Sequence, residues 1–127
     1  MDFSSRDEKV LANALAQGNP ETEYVLIHIV ESPSASYFGN QSDDHETQQD
    51  QEQMDMYISL LKDKNIKAQG ILGYRHRAKS IVKIVREQQA DLLILGGHGH
   101  KGLKDWLYGE TVNYVRHYVS IPVLVVQ

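Results

Sequence analysis

Residues 91–102 read DLLILGGHGHKG, an apolar run that ends abruptly in a glycine-rich turn. A continuous apolar run of this length is typical of a strand buried on both faces of a parallel sheet. Glycine has no Cβ, so the turn allows backbone N–H groups to approach a ligand closely and to form an anion-binding loop. In open parallel sheets, ligands bind beyond the carboxyl ends of the strands, which is where this turn lies. The stretch therefore predicts an α/β fold with a binding site at this edge.

Strand and helix patterns alternate along the rest of the chain. Further strands are predicted over residues 24–30, 68–73 and 121–126. Helices are predicted from a capping box at Ser5 to a stop at Gly18, from the Gln-rich and acidic stretch to residues 63–65, around 81–89, and over 110–118. This alternation implies right-handed crossovers and a mostly parallel sheet covered on both faces. The pattern leaves open whether the acidic stretch 43–55 is entirely helical or forms a mobile lid.

The composition is that of a single globular domain. The chain has 127 residues, of which 41% are hydrophobic and 24% charged. It contains no cysteine, which excludes disulfides, thiolate metal sites and a cysteine nucleophile. No apolar run approaches the roughly 20 residues needed to cross a bilayer. We therefore expect a soluble, cytoplasmic protein.

Charge is distributed unevenly around a net value of −4. Residues 10–61 contain no Lys or Arg against nine acidic residues, whereas residues 62–127 contain eleven Lys or Arg against five acidic residues. A general nucleic-acid binder needs a basic face, so this distribution argues against that class. The C-terminal half is nevertheless suited to receive a small anion.

The glycine spacing carries a family resemblance. Gly96-x-x-Gly99, nine residues and then Gly109 resembles the G-2x-G-9x-G-[S/T] signature of universal stress proteins that bind ATP. The other matching segments are Asp2-Phe3-Ser4, Ile27-His28-Ile29, Ala90-Asp91-Leu92-Leu93, Arg116-His117 and Ile121-Pro122-Val123-Leu124-Val125-Val126. The chain is identified as a member of this family. The resemblance implies an open, mostly parallel five-stranded sheet of order 3-2-1-4-5 with helices on both faces, similar to adenine nucleotide alpha hydrolases.

The resemblance also implies an ATP site, occupied with or without Mg²⁺. Asp2 would accept a hydrogen bond from the adenosine, and Ile29 would contact it through backbone and apolar surface. The residues implied to line the ribose and phosphates are Leu95, Gly96, His98 and Gly99. The residues implied to present N–H groups to the phosphates are Gly109, Glu110, Thr111 and Val112.

Glu110 departs from the family pattern, which has Ser or Thr at this position. An ionised carboxylate only accepts hydrogen bonds and repels phosphate. In one reading Glu110 points to solvent and Thr111 supplies the hydroxyl. In the other, Glu110 stabilises the helix terminus without ligand, and the protein is a dimerising interaction module that does not bind nucleotide.

The glycine loop has no accompanying catalytic or metal-binding set. No candidate general base or metal-binding carboxylate accompanies it, so we expect a regulatory role with at most slow ATP hydrolysis. His98 and His100 are two imidazoles where a metal site needs three or four ligands, so no metal site is expected.

The ends of the sheet suggest partners. The last strand begins at Ile121, ends at Val126 and is apolar throughout, and an unprotected edge of this kind invites homodimerisation. The resemblance agrees, since these proteins commonly pair through the final strand.

The glycine-rich loop also resembles stress-protein domains attached to bacterial membrane transporters, including Nramp-type metal transporters. Because Asp2 matches the end of strand one, we expect residues 1–127 to be one domain whose first strand, about 5 or 6 residues, lies upstream in the natural chain.

Overall fold

In a computed structural model of the chain, the structure describes residues 1–30, 45–97 and 109–127. Helices and strands alternate through these ranges, so the predicted mixed α/β fold is confirmed. In chain order the elements are α1 (Asp7–Gln17), β1 (Glu23–Val30), α2 (His45–Lys62), β2 (Lys67–Tyr74), α3 (Arg77–Glu87), β3 (Leu93–Gly96), α4 (Glu110–Tyr118) and β4 (Val123–Val126). None of the helices in these ranges is both long and apolar enough to span a bilayer.

The described strands form two parallel pairs. β1 pairs with β2 over eight residues, from Glu23 opposite Lys67 onward, and β3 pairs with β4 from Leu93 opposite Val123 onward. These pairs are separate two-stranded sheets. In the predicted order 3-2-1-4-5, each observed pair is a pair of neighbours. The central position of that order falls between them.

The core lies on both faces of the strands. Leu26 of β1 packs in a cluster with Met54 and Leu61 of α2, and side chains of α1 also pack against this cluster. Its neighbour in the sequence, Ile27, packs instead against a cluster that contains Val115 of α4 and residues of α3. Successive side chains of a strand point to opposite faces. Helices α1 and α2 therefore cover one face, and α3 and α4 cover the other.

Glycines in β2 allow the neighbouring elements to pack closely. A Cβ built at Gly70 would lie 2.4 Å from Cγ of Met54, and one at Gly73 would lie 2.4 Å from Cδ1 of Ile29. These distances are far below van der Waals contact. The small residues thus set the approach of α2 to β2 and the packing of Ile29 at the end of β1.

The ends of all four strands differ from the prediction, and β1 begins one residue earlier, at Glu23. β2 is one residue longer at each end than predicted. β3 begins at Leu93 instead of residue 91, and Leu92 is 38% exposed. β4 begins at Val123 instead of residue 121, because Pro122 has no N–H to donate, although its carbonyl still accepts from the Leu93 amide at 3.0 Å.

Two predicted helices agree with the structure over the parts it describes. The span of α4 is the predicted one. α2 is helical from His45 onward, so the described part of the acidic stretch is helix.

The sheet is predicted to be covered on both faces, and for β1 this is only partly correct. Leu26, Ile29 and Val30 are buried, whereas Val25 and Ile27 are only half-buried. The reason is that β1 has a strand neighbour on one edge within the described residues, while its other edge opens onto a cavity.

The predicted capping box at Ser5 is wrong. α1 begins at Asp7, and Arg6 before it is already in a helical conformation without a side-chain cap. The Ser4 carbonyl accepts from the Asp7 amide at 3.0 Å, and the Ser4 hydroxyl accepts from the Arg6 amide at 3.3 Å. The helix begins one residue later than predicted because the Asp7 carboxylate accepts hydrogen bonds from the preceding backbone amides.

Candidate functional site

A cavity of about 1440 Å³ lies between β1 and β3 and extends to the start of α4. The structure describes eight of the ten residues predicted for the site, and all eight line this cavity. They are Asp2, Ile29, Leu95, Gly96, Gly109, Glu110, Thr111 and Val112. His98 and Gly99 lie outside the described residues.

Asp7 shapes the N-terminal end of the cavity. Its side chain is only 4% exposed, and its carboxylate accepts from the amides of Asp2 at 3.2 Å and Phe3 at 2.8 Å. Phe3 has a φ of 56°, a left-handed conformation that costs a non-glycine residue about 1–3 kcal/mol. The two hydrogen bonds hold this turn and fix Asp2 at the cavity wall.

Sequence reasoning did not identify this role of Asp7. In the sequence, Asp7 and Glu8 are simply two acids in a first helical turn, a position that suits the helix dipole. Only the fold distinguishes them, since it buries Asp7 and leaves Glu8 exposed. Asp7 and Glu8 fit the same first-turn pattern in the sequence, so the pattern does not separate them.

The carboxyl groups of Asp2 and Asp7 have opposite pKa shifts. Burial acts to raise the pKa of Asp2, but hydrogen bonds from Ser4, including its amide at 3.1 Å, together with the Met1 ammonium and Arg6 hold that pKa below its usual value. Burial raises the pKa of Asp7, against the Met1 ammonium and the two backbone hydrogen bonds. Asp2 is therefore a carboxylate at neutral pH, and it acts only as an acceptor.

His28 connects the N-terminal turn to α2. Its Nδ1 lies 3.0 Å from the Met1 carbonyl oxygen and its Nε2 lies 3.0 Å from Oδ2 of Asp50. The ring of Phe3 stacks on the imidazole with centroids 4.2 Å apart. Both polar partners are acceptors. Through these contacts His28 and Phe3 pack together beside Asp2.

Gly96 and Gly109 lie at the carboxyl end of the cavity, and a Cβ at either position would clash with none of the described residues. A Cβ at Gly109 would meet nothing within 4 Å among the described residues, and one at Gly96 would make only an ordinary 3.5 Å contact with Cγ2 of Val10. Neither has a positive φ that would require glycine. In the described part of the chain, neither packing nor backbone conformation explains why these positions lack a side chain.

The first turn of α4 faces the same space. The first intrahelical hydrogen bond runs from the Asn113 amide to the Gly109 carbonyl at 3.1 Å. The amides of Glu110, Thr111 and Val112 precede it and have no partner within the helix, at its positive end. Glu110 is exposed and Thr111 half-buried. Such a helix start is suited to hold an anion.

Positive charge also reaches the cavity from α3. Arg77, the first residue of α3, lines the cavity and is exposed. Its charge contributes to a lowered pKa of the Met1 ammonium, for which burial is the main cause. In the part of the chain that the structure describes, no three His, Asp or Glu side chains lie together as metal ligands do. His98 and His100 lie outside that part.

Comparison with known proteins assigns the chain to one protein family. The family model described as "Universal stress protein family" matches residues 1–127. A curated relative, universal stress protein MJ0577 of Methanocaldococcus jannaschii, is 26% identical, with 99% of this chain and 90% of the relative covered.

Solved structures superpose on this fold. The structure of MJ0577 superposes with a TM-score of 0.81 at 28% identity, covering 99% of this chain and 90% of that one. A universal stress protein from Archaeoglobus fulgidus gives 0.71 at 18% identity, with 100% and 93% covered. The universal stress protein from the same organism in complex with dAMP gives 0.67 at 18% identity, with 100% and 92% covered.

Proposed function

Because the chain belongs to the universal stress protein family, we propose that its cavity binds an adenine nucleotide, ATP with Mg²⁺, and that the bound state serves a regulatory role in the cytoplasm. The proposal includes a five-stranded sheet of order 3-2-1-4-5, in which the two observed strand pairs flank a central strand. Mg²⁺ would arrive with the triphosphate, since this ion binds substrate phosphates and keeps several of its waters.

The observation that carries the proposal is that a Cβ at Gly96 or Gly109 would clash with none of the described residues. Both line the cavity at the carboxyl ends of the strands, where ligands of open parallel sheets bind. Neither glycine is explained by contacts among the described residues. A ligand that packs against bare backbone explains both, because a Cβ at either position would fill the space that the ligand needs.

Electrostatics favour one orientation of the nucleotide. Asp2 is an ionised acceptor at one end of the cavity, where it would repel phosphate but accept from a ribose hydroxyl or an adenine amine. The amides of Glu110, Thr111 and Val112 lie at the other end, at the positive end of α4. We therefore infer that the adenosine lies beside Asp2 and Ile29, and the phosphates beside α4. The family member from Archaeoglobus fulgidus in complex with dAMP supports the choice of an adenine nucleotide.

Glu110 is the residue that opposes this orientation. It is exposed in the first turn of α4, so its carboxylate can turn toward solvent while the backbone amide and Thr111 meet the phosphates. The same carboxylate weakens binding by repulsion if it stays over the helix start. Replacing Glu110 with Ser is expected to raise affinity for ATP, and replacing it with Gln is expected to give a smaller rise.

Thermal unfolding with and without Mg-ATP tests the proposal. A ligand present at a hundred times its Kd stabilises the folded state by about 2.7 kcal/mol, which is easily measured. Mg²⁺ alone and tripolyphosphate are the controls, since they separate recognition of adenosine from a general response to anions. A melting temperature that stays constant up to millimolar Mg-ATP would exclude nucleotide binding.

We also propose that the protein forms a homodimer through β4. All four residues of β4 are apolar and only half-buried, and among the described strands β4 pairs only with β3. An apolar strand at the edge of a sheet is a template for pairing with another chain. This observation also supports the alternative function, a dimerising module without nucleotide, which a lack of response to Mg-ATP combined with a stable dimer would favour.

A further inference from the structure

A groove of about 390 Å³ lies between α3 and α4, on the outside of the molecule. From α4 it is lined by Tyr114 and Tyr118, whose ring centroids are 4.3 Å apart. Tyr118 is 47% exposed, so the groove contains an aromatic surface that the protein's own core does not cover. None of the residues that line this groove lines the cavity proposed for the nucleotide.

The α3 side of the groove is positively charged. Lys79, Lys83 and Arg86 line it and are exposed, and Glu87 is the acidic residue among them. Nζ of Lys83 lies 3.7 Å from Oε1 of Glu87, and the guanidinium of Arg86 donates to the Tyr118 carbonyl at 2.6 Å. Three cations against one carboxylate leave the groove with a net positive charge beside its aromatic rings.

A second surface, the outer face of α2, is acidic and apolar. Met56 and Leu60 are the two most exposed large apolar side chains among the described residues, at 56% and 54%. Glu52 lies one helical turn before Met56, and Asp63 follows Leu60 by three residues, so these four residues share one face. We call this face the α2 ridge. The buried residues of α2, such as Met54, lie on the opposite face, so the core does not explain the apolar part of the ridge.

The ridge and the groove are complementary in charge. α2 contains four acidic residues and one lysine, whereas α3 contains four basic residues and one glutamate. The two helices cover opposite faces of the strands, so a chain cannot place its ridge in its own groove. Opposite charges attract across an interface and select its partner. A second copy of the chain therefore carries the surface that the groove fits.

We propose that the α3–α4 groove binds the α2 ridge of a second copy of this chain. Met56 and Leu60 of one copy would cover the exposed ring of Tyr118 of the other, and Glu52 and Asp63 would lie among the basic residues of the groove. Each copy has one ridge and one groove on opposite faces, so the contact can continue from copy to copy. The contact shares no residue with β4 or with the nucleotide cavity, so it is independent of both earlier proposals.

Sedimentation of the full chain between micromolar and millimolar concentration, at low salt, tests the proposal. Assemblies larger than a dimer are expected to grow with concentration and to dissociate near 1 M salt, at which charges are screened within about 3 Å. One variant reverses the groove with Lys79→Glu and Lys83→Glu, and another reverses the ridge with Glu52→Lys and Asp63→Lys. Each variant alone should associate about tenfold or more weakly, because like charges then meet across the contact.

An equal mixture of the two variants is the main control. In the mixture, the reversed groove meets the reversed ridge and the unchanged ridge meets the unchanged groove, so opposite charges face each other in both contacts and assembly should return. Circular dichroism checks that each variant is folded. Lys67→Glu changes an exposed lysine outside both surfaces and should assemble like the parent.

Three results would overturn the proposal. A parent that forms nothing larger than a dimer up to millimolar concentration would exclude a second copy as the occupant and leave the groove to a different protein. Assemblies that persist unchanged in both charge-reversed variants would show that other surfaces hold the copies together. A mixture of folded variants that stays unassociated would exclude the pairing of ridge with groove.

Discussion

Gly109 allows the proposed phosphate contact to be separated from folding. Its φ of −49° and ψ of 161° are open to alanine, and its Cβ would meet nothing among the described residues. Replacing glycine by alanine at a compatible position commonly stabilises a protein by about 0.4–1 kcal/mol. Gly109→Ala should therefore fold at least as well as the parent and yet bind Mg-ATP about tenfold or more weakly, since its methyl group takes ligand space.

The control for Gly109→Ala is Gly70→Ala in β2. This variant should be less stable, because its Cβ meets Met54, but its affinity for nucleotide should be unchanged because Gly70 does not line the cavity. Calorimetric titration gives the affinities and denaturant unfolding gives the stabilities. Full affinity in Gly109→Ala would show that the open space at this glycine is not ligand space.

Asp7 gives a prediction about pH. Burial raises its pKa, so the folded protein holds this proton more tightly than the unfolded chain, in which the pKa is near the ordinary 3.8. The contribution of Asp7 to stability is fully present below the pKa of the unfolded chain. It is lost as the pH rises through the raised pKa of the folded protein. Asp7→Asn removes this loss and keeps one acceptor oxygen for the backbone amides. Relative to the parent, the free energy of unfolding of Asp7→Asn should therefore increase as the pH rises above about 4.

Glu8→Gln is the matched control, because Glu8 is the exposed acid of the same turn. Urea unfolding at several pH values gives the free energy of unfolding for each variant. Curves for Asp7→Asn and Glu8→Gln that run parallel to each other over this range would contradict the assigned burial of Asp7.

The contact between α2 and β2 depends on a large side chain that packs against a glycine. Met54 is 1% exposed, and its Cγ would lie 2.4 Å from a Cβ at Gly70. Gly70→Ala should cost about 1–3 kcal/mol by overpacking, and Met54→Ala about 2–5 kcal/mol by leaving a cavity. The double variant should cost less than the sum, because the new methyl group enters the cavity that truncation leaves. Additive costs, measured by urea unfolding, would show that these two residues do not pack as described.

The elements also show what sequence patterns can and cannot predict. Periodicity identified all eight described helices and strands, and α4 in full, because each has an apolar face or run of sufficient length. It could not locate the start of α1, which depends on Asp7 accepting from the backbone of Asp2 and Phe3. It also overestimated burial along β1, because burial depends on whether both edges of a strand are covered and not on hydrophobicity alone. The resemblance indicated the site residues, and the fold brings the eight described ones to one cavity.

The apolar edge of β4 predicts that the protein associates into a dimer. Sedimentation at micromolar concentration should give the mass of a dimer, and Leu124→Lys should shift it toward monomer by placing charge in the apolar edge strand. Ser120→Lys, at an exposed position just before β4, is the control and should leave the dimer intact. A parent protein that sediments as a monomer would contradict pairing through β4.

We propose that the cavity edge formed by Gly96 and the start of α4 holds an adenine nucleotide. The most direct measurement is a titration of the isotope-labelled chain with Mg-ATP, followed through its backbone amide signals. Saturable shifts of Gly96, Gly109, Glu110, Thr111 and Val112, with one nucleotide bound per chain, are expected. Amide signals that stay in place up to millimolar Mg-ATP, or shifts confined to residues far from this edge, would contradict the claim.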